Sequence, residues 1–186
     1  MMPPESLAQR QGRAFHALME AWRLLDQDAE LPPVVMAARP VWMALLMSFS
    51  LSVDEQMEVL ARAQALVKQG ALRTLLGLPP PGRSLSAASS QLYLEREWLH
   101  ADGRWLRPDW VWVQAGQGVR VVDWKWAVLT SEQADYGHQL GDYAALMARH
   151  FPGHPVEALI ITSLGEVWRL EGQGLVHCQS AGRPAL

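Results

Sequence analysis

The chain has 186 residues, 49% hydrophobic and 19% charged, which suits one packed domain and excludes a disordered tail. A formal net charge of −3 and a pI near 6.1 exclude a protein that holds nucleic acid by bulk positive charge. A single cysteine, Cys178, excludes an internal disulfide and cannot alone build a structural zinc or iron–sulfur site, which points to a reducing, cytoplasmic setting.

Met1-Met2-Pro3-Pro4-Glu5 has neither the basic start nor the apolar run of a signal peptide. Phe15, Leu18, Met19, Trp22 and Leu25 recur at helical spacing and predict an amphipathic helix over about residues 5–27, broken by Leu31-Pro32-Pro33. His16 lies one turn beyond Gly12, whose missing side chain would let another backbone or a phosphate come close. Helices are expected at about 40–49 and 53–76, the second opening at Ser52-x-x-Glu55, a capping-box spacing. The apolar run 41–51 holds Ser48 and Ser50, is too short to span a bilayer, and reads as a buried helix. Leu78-Pro79-Pro80-Pro81-Gly82 ends this helical part, and residues 84–90 read as a polar linker. Strands follow at about 91–99, 105–114 and 119–126, then a helix at about 131–149 with Ser131 or Thr130 as N-cap. Tyr136, Leu140, Tyr143 and Met147 form its stripe, Phe151-Pro152-Gly153 ends it, and strands at 156–162 and 166–170 complete the pattern. A hairpin followed by a strand–helix–strand crossover predicts a mixed sheet with helices on its faces.

The chemistry sits in the hairpin. Ala115-Gly116-Gln117-Gly118 supplies the turn, and a turn centred on Gly116 sets Asp109 opposite Asp123, with Cβ atoms roughly 4.5–5.5 Å apart. Alternation puts Asp123 and Lys125 on one face, with Trp124 and Trp126 on the other. Like charges opposed across a ladder repel, so the pair asks for a cation, and hard oxygen ligands suit Mg²⁺ or Mn²⁺. Pro-Asp is also a common turn dipeptide, and Asp-x-Lys a common solvated strand face. Lys125 is nonetheless one of only two lysines, with Lys68, against fourteen arginines. A compact ammonium beside a carboxylate can position a water in a way that a planar guanidinium cannot. Six of the nine tryptophans fall between residues 98 and 126. Trp110, Trp112, Trp124 and Trp126 share the face away from the carboxylates and are expected in the core. Trp98 and Trp105, near strand ends, are the better candidates for contact with nucleic acid.

Gly12-x3-His16 on an early helix, Glu97 in Arg96-Glu97-Trp98, Arg107-Pro108-Asp109, Asp123-Trp124-Lys125 and Gln139-x3-Tyr143 occur in an order that resembles the RecB-type nuclease domain of the PD-(D/E)XK superfamily. The resemblance covers nearly the whole chain and is strongest over about residues 91–170. It implies an α/β, restriction-endonuclease-like fold: a mixed central β-sheet flanked by α-helices, with an N-terminal helical elaboration. Residues 1–186 would form one nuclease domain, about 1–90 mainly helical and carrying the histidine motif, about 91–178 the catalytic core. By matched position His16, Asp109, Asp123 and the Trp124 carbonyl would hold Mg²⁺ or Mn²⁺, and Lys125 would orient or help activate the attacking water. Gln139, Tyr143 and Arg107 would support the site or contact DNA. Glu97 matches the family's acidic position, with Glu95 a competitor two residues away. Trp126 departs from the pattern, which commonly has Thr after the Lys. The implied activity is that of a DNA exonuclease in repair, recombination or end processing, acting on DNA with a helicase or other DNA-processing subunit and with no membrane. A family member that keeps the fold as a catalytically silent DNA-binding or scaffold module is the alternative. An accidental Asp-x-Lys in a small α/β binding protein is a third reading. The lone cysteine argues against the superfamily's CRISPR-associated members, which carry a four-cysteine cluster.

Overall fold

Tryptophan and valine dominate residues 110–124, and side chains of opposite parity leave opposite faces of a strand, so this stretch can serve two cores at once. In the computed structural model, which describes residues 5–28, 30–78 and 90–178, it does so. Helices α1 (Leu7–Glu20), α2 (Trp22–Gln27), α3 (Pro33–Ala37), α4 (Pro40–Met47), α5 (Val53–Lys68) and α6 (Gly70–Leu76) precede strands β1 (Ser90–Leu94), β2 (Trp98–Leu99), β3 (Trp105–Leu106), β4 (Trp110–Gln114) and β5 (Gly118–Lys125). Helix α7 (Gln133–His150) and strands β6 (Val156–Thr162), β7 (Val167–Glu171) and β8 (Gly174–Cys178) follow. The described residues thus form a mixed α/β protein with seven α-helices and a six-stranded sheet of order β1-β4-β5-β6-β7-β8. Only β5 and β6 run parallel, joined through α7, while β2 and β3 form a separate two-stranded ribbon.

One core lies between the sheet and the N-terminal helices. Trp110, Val122 and Trp124 meet Phe15, Leu18, Trp22 and Leu60 there, with ring centroids 5.1 Å apart for Trp110 and Trp124 and 6.2 Å for Phe15 and Trp124. The other lies under α7, where Val111, Val121 and Ile160 pack on Leu140, Tyr143 and Met147. All five residues of the predicted α1 stripe are buried, as are Leu140, Tyr143 and Met147 of the α7 stripe. Removing a ring as large as Trp124 would cost about 3–5 kcal/mol. Gly118, at φ 120, lets β5 start beside β6: a Cβ there would lie 2.5 Å from the Pro155 carbonyl, which accepts a hydrogen bond from the Val119 amide.

Several boundaries differ from the sequence expectation. The strand expected at 91–99 is split, because Glu95 turns the chain in the left-handed region at φ 47. The strand expected at 105–114 likewise divides into β3 and β4. The helix expected at 5–27 breaks at Ala21 and that at 53–76 at Gln69, while the Ser52 and Glu55 capping box forms. Helix α7 begins at Gln133 after a single 3₁₀ turn, without a Ser131 or Thr130 cap. The apolar run 41–51 is not a buried helix: α4 buries Trp42 and Leu46 and exposes Val41, Met43 and Met47. Helix α3 and strand β8 carried too little pattern to be foreseen. No helix among the described residues is long and apolar enough to cross a membrane. The leader reading of residues 1–4, the Pro79-Pro80-Pro81-Gly82 break and residues 84–89 of the linker lie outside the described residues.

Candidate functional site

The register of the β4–β5 hairpin follows from its turn. Gln114 pairs with Gly118 and Trp110 with Val122, so the next pair in the same register is Asp109 with Asp123, as the Gly116-centred turn predicts. Strand β5 runs on to Lys125 after β4 has ended, which leaves the Trp124 amide beyond the ladder. The Asp109 carboxylate takes it: Trp124 N–H donates to Asp109 Oδ2 at 2.6 Å. A buried N–H left without an acceptor costs about 1–3 kcal/mol, so Asp109 has a structural task as well as any chemical one.

Helix α1 brings His16 to the same oxygen, with Nε2 2.7 Å from Asp109 Oδ2. Its Nδ1 lies 3.6 Å from Glu95 Oε1, and the other Glu95 oxygen pairs with Arg107 Nε at 3.0 Å. One ligand atom from each of His16, Glu95 and Asp109 lies within 4.8 Å of the others. On the neighbouring strand Lys125 Nζ sits 2.6 Å from Asp123 Oδ2, with the aspartate side chain 2% exposed and the lysine 21%. Tyr143 Oη accepts from Gln139 Nε2 at 3.0 Å and donates to the Arg107 carbonyl at 3.4 Å, fixing the segment that leads into Asp109.

Burial and neighbouring carboxylates raise two of these carboxyls, Glu95 and Asp123. Burial, then the charges of Asp109 and Glu20, push Glu95 up to about 7, against the opposing pull of His16 and Arg107. Asp123 is also held above its ordinary value by burial and by Asp109, with Lys125 opposing. Burial works against a charged His16, yet the hydrogen bond to Asp109 and the charges of Asp109, Asp123 and Glu95 outweigh it and raise the imidazole. Burial, followed by the charge of Asp123, also raises Tyr143.

The cluster opens on a cleft of about 1000 Å³ between α1 and the start of α7, reached by His16, Glu20, Trp124, Lys125, Trp126 and Tyr136. Lys125 Nζ lies 5.0 Å from the Tyr136 ring centroid. Trp126, the departure from the family pattern, packs on Phe15 and under the Arg62 guanidinium, 4.3 Å from its ring. Arg62 also donates to Ser163 Oγ at 3.0 Å, and Ser163 donates to the Trp126 carbonyl at 2.8 Å. Its amide bonds the Lys125 carbonyl at 2.9 Å, so this turn steadies the end of β5.

His16 and Asp109 therefore come together with Glu95, while Asp123, which is not among the ligand atoms within 4.8 Å of one another, pairs with Lys125 on the neighbouring strand, and Gln139, Tyr143 and Arg107 stand behind them. Glu97 does not join them: it is exposed, and Glu95, its competitor, occupies the cluster. The left-handed turn at Glu95, with its amide bonded to the Asp109 carbonyl at 2.9 Å, is what the sequence pattern did not disclose. Trp98 is buried against Tyr93 and Phe151 and is no surface contact, whereas Trp105 is 65% exposed. Gly12 lines the cleft, but a Cβ there would lie an ordinary 3.6 Å from Trp126 Cβ, so no close approach requires glycine. Glu20, one turn beyond His16 on α1, also lines the cleft, a placement that the i, i+4 spacing carries. Ser163 and Arg62 had no local signal, since only the fold brings them to β5.

Compared with models of protein families, with curated proteins and with solved structures, the chain matches none.

Proposed function

We propose that the chain is a metal-dependent DNA nuclease with a restriction-endonuclease-like core, hydrolysing phosphodiester bonds in the processing of DNA ends. The observation that carries this reading is the cluster of His16, Glu95 and Asp109 next to the Asp123–Lys125 pair, at one open sheet end beside a cleft. The donor set fits a hard divalent cation. It offers carboxylate oxygens and one imidazole, and Glu95 Oε1 is buried without a hydrogen-bond partner in the protein. His16, Glu95, Asp109 and Asp123 would hold Mg²⁺ or Mn²⁺, with the Trp124 carbonyl as a backbone ligand. When bound, such an ion supplies Lewis acidity toward a phosphoryl oxygen and lowers the pKa of a bound water.

The remaining work falls to the chain's own residues. Lys125 places a compact positive charge at the mouth of the cleft, where it can hydrogen-bond an attacking water and a phosphate oxygen. Asp123 holds that ammonium in place. Tyr143 and Gln139 keep the Arg107-to-Asp109 segment in register. The acidic balance and the absence of a Gly-x4-Gly-Lys-Ser/Thr phosphate loop from the sequence support a module that works beside a DNA-unwinding or DNA-holding subunit.

The test uses end-labelled linear and closed circular DNA with Mg²⁺, Mn²⁺ or EDTA. Cleavage of linear DNA that needs the ion and is lost in Lys125→Ala is expected. Lys125→Arg should also fail, because the planar head cannot occupy the same point. Failure of the folded wild type to cut any substrate with either ion, while still binding DNA, would leave the silent nuclease-fold module as the better reading.

A further inference from the structure

The apolar stripe of α7 runs out of the core at its N-terminal end. Met147, Tyr143 and Leu140 are buried against the sheet, whereas Tyr136, one turn nearer the start of the helix, is half-buried and lines the cleft while packing, like Val128, on the same core. Its ring also meets a charge. Lys125 Nζ lies 5.0 Å from the ring centroid, inside the range of about 6 Å over which an ammonium is attracted to an aromatic face. The same nitrogen is 2.6 Å from Asp123 Oδ2, so the ammonium is held by two groups from two elements, β5 and α7.

The two contacts differ in kind. A carboxylate neutralises the charge and takes an N–H, whereas a ring attracts the charge through its quadrupole and adds no negative charge of its own. An ammonium carries three N–H donors on a flexible four-carbon stem, so Asp123 alone would fix its distance from the sheet and leave its direction free. The ring supplies the second restraint and leaves donors for a water and a phosphate oxygen. It is itself held: the phenol hydrogen-bonds Glu132 in the 3₁₀ turn before α7, and Glu132 Oε2 also accepts from the Leu129 amide at 3.4 Å. Burial, then that bond to Glu132, push the phenol up to about 12, so it stays a donor at neutral pH.

We propose that Tyr136 is a positioning residue of the site, its ring face holding the Lys125 ammonium over the cleft and aimed at the phosphate oxygen and the attacking water. The placement of the ammonium stands on the geometry alone, and its effect on cleavage rests on the nuclease reading.

The scarcity of lysine makes the placement directly readable. With ¹³C-labelled lysine, the metal-free protein in EDTA gives two sets of side-chain signals, from Lys68 and Lys125, and Lys68→Arg assigns them. The Hε protons of Lys125 should lie upfield of those of Lys68 through the ring current of Tyr136. That displacement should be lost in Tyr136→Leu and kept in Tyr136→Phe. Leucine retains apolar bulk against the core, equal melting temperatures check the fold, and Tyr136→Met replaces it if it melts early. In Mg²⁺, Tyr136→Leu should lower kcat about 10-fold, as loss of a partly desolvated cation–π contact would. The KM for DNA and the affinity for Mn²⁺ should stay within about twofold, and Tyr136→Phe should rescue most of the rate. A Lys125 signal in the same position in the wild type and in Tyr136→Leu overturns the proposal, as does a lost displacement with undiminished kcat. A KM that rises while kcat holds makes Tyr136 a DNA contact and overturns it as well. A wild type that shows the displacement, loses it in Tyr136→Leu and cuts no DNA with either ion keeps Tyr136 as the holder of the ammonium and removes the nuclease.

Discussion

The two ends of the β4–β5 hairpin handle charge in opposite ways. At the turn end Arg120 donates to Glu157 at 2.8 Å and to Gln114 at 2.9 Å, and Glu157 takes Arg169 at 2.8 Å. Every charge in that network has a partner of opposite sign. At the open end Glu95, Asp109 and Asp123 crowd around His16 and Lys125, and the carboxyls of Glu95 and Asp123 are pushed up. Folding alone gives no reason to gather like charges, since they raise the energy of the native state. Under the proposed function a bound cation would relieve that cost, which makes the open end the working end of the proposal and the turn end its scaffold.

The sharpest way to break this contrast is to remove charge at the open end while keeping shape. Asp109→Asn retains an oxygen for the Trp124 amide and loses the charge beside His16. Cleavage should fall by at least about 10³-fold, the scale of a lost electrostatic contact at a reacting phosphate. Divalent binding, measured by calorimetry, should weaken with it, and the fold should survive. A variant with normal cleavage would show Asp109 to be only the cap of an overrunning strand.

Much of this end was legible in the sequence, for a physical reason. Hairpin register depends on the turn and on period-2 alternation, both local, so the opposition of Asp109 to Asp123 and the inward faces of Trp110 and Trp124 could be read from residues 105–126. The i, i+4 rule likewise put Gln139 with Tyr143. What could not be read depends on backbone exceptions and long-range packing. A left-handed Glu95 exchanges it with Glu97 at the cluster, the core takes Trp98 and leaves Trp105 outside, and Ser163 reaches Lys125 from 38 positions along the chain.

The second prediction sharpens the contrast through pH. Glu95 and Asp123 are raised in the folded protein above their unfolded values, and so is His16. The folded state then binds more protons than the unfolded one. Their contribution is fully present below the unfolded carboxyl pKa and is lost as pH rises through the raised folded values, about 7 for Glu95, with His16 raised in the same sense. In EDTA the melting temperature should therefore fall between about pH 5 and about pH 8, by roughly 2–4 °C for a change of order 1 kcal/mol. With Mn²⁺ present the fall should shrink or reverse, because the ligands must shed protons to bind, and proton release on binding should be detectable in weakly buffered solution. A metal-free melting temperature that climbs over this range would mean that the open end is not a repulsive cluster.

The smallest effect is expected at the turn end, and it is the control on which the contrast rests. Arg120 and Glu157 are about a quarter exposed, with side-chain exposures of 25% and 27%, so solvent screens much of their attraction. Arg120→Ala should cost about 0.5–1 kcal/mol, a shift of roughly 1–4 °C in melting temperature, mainly by leaving Gln114 and Glu157 with fewer partners. Cleavage at a temperature where both proteins are folded should stay within about twofold of wild type, since β5 still delivers Asp123 and Lys125 through its unbroken pairing with β6. The measurement is a thermal melt paired with the end-labelled DNA assay. If Arg120→Ala instead lowers cleavage as far as Asp109→Asn does, the two ends are coupled through β5 and the turn end is part of the machinery, not its support.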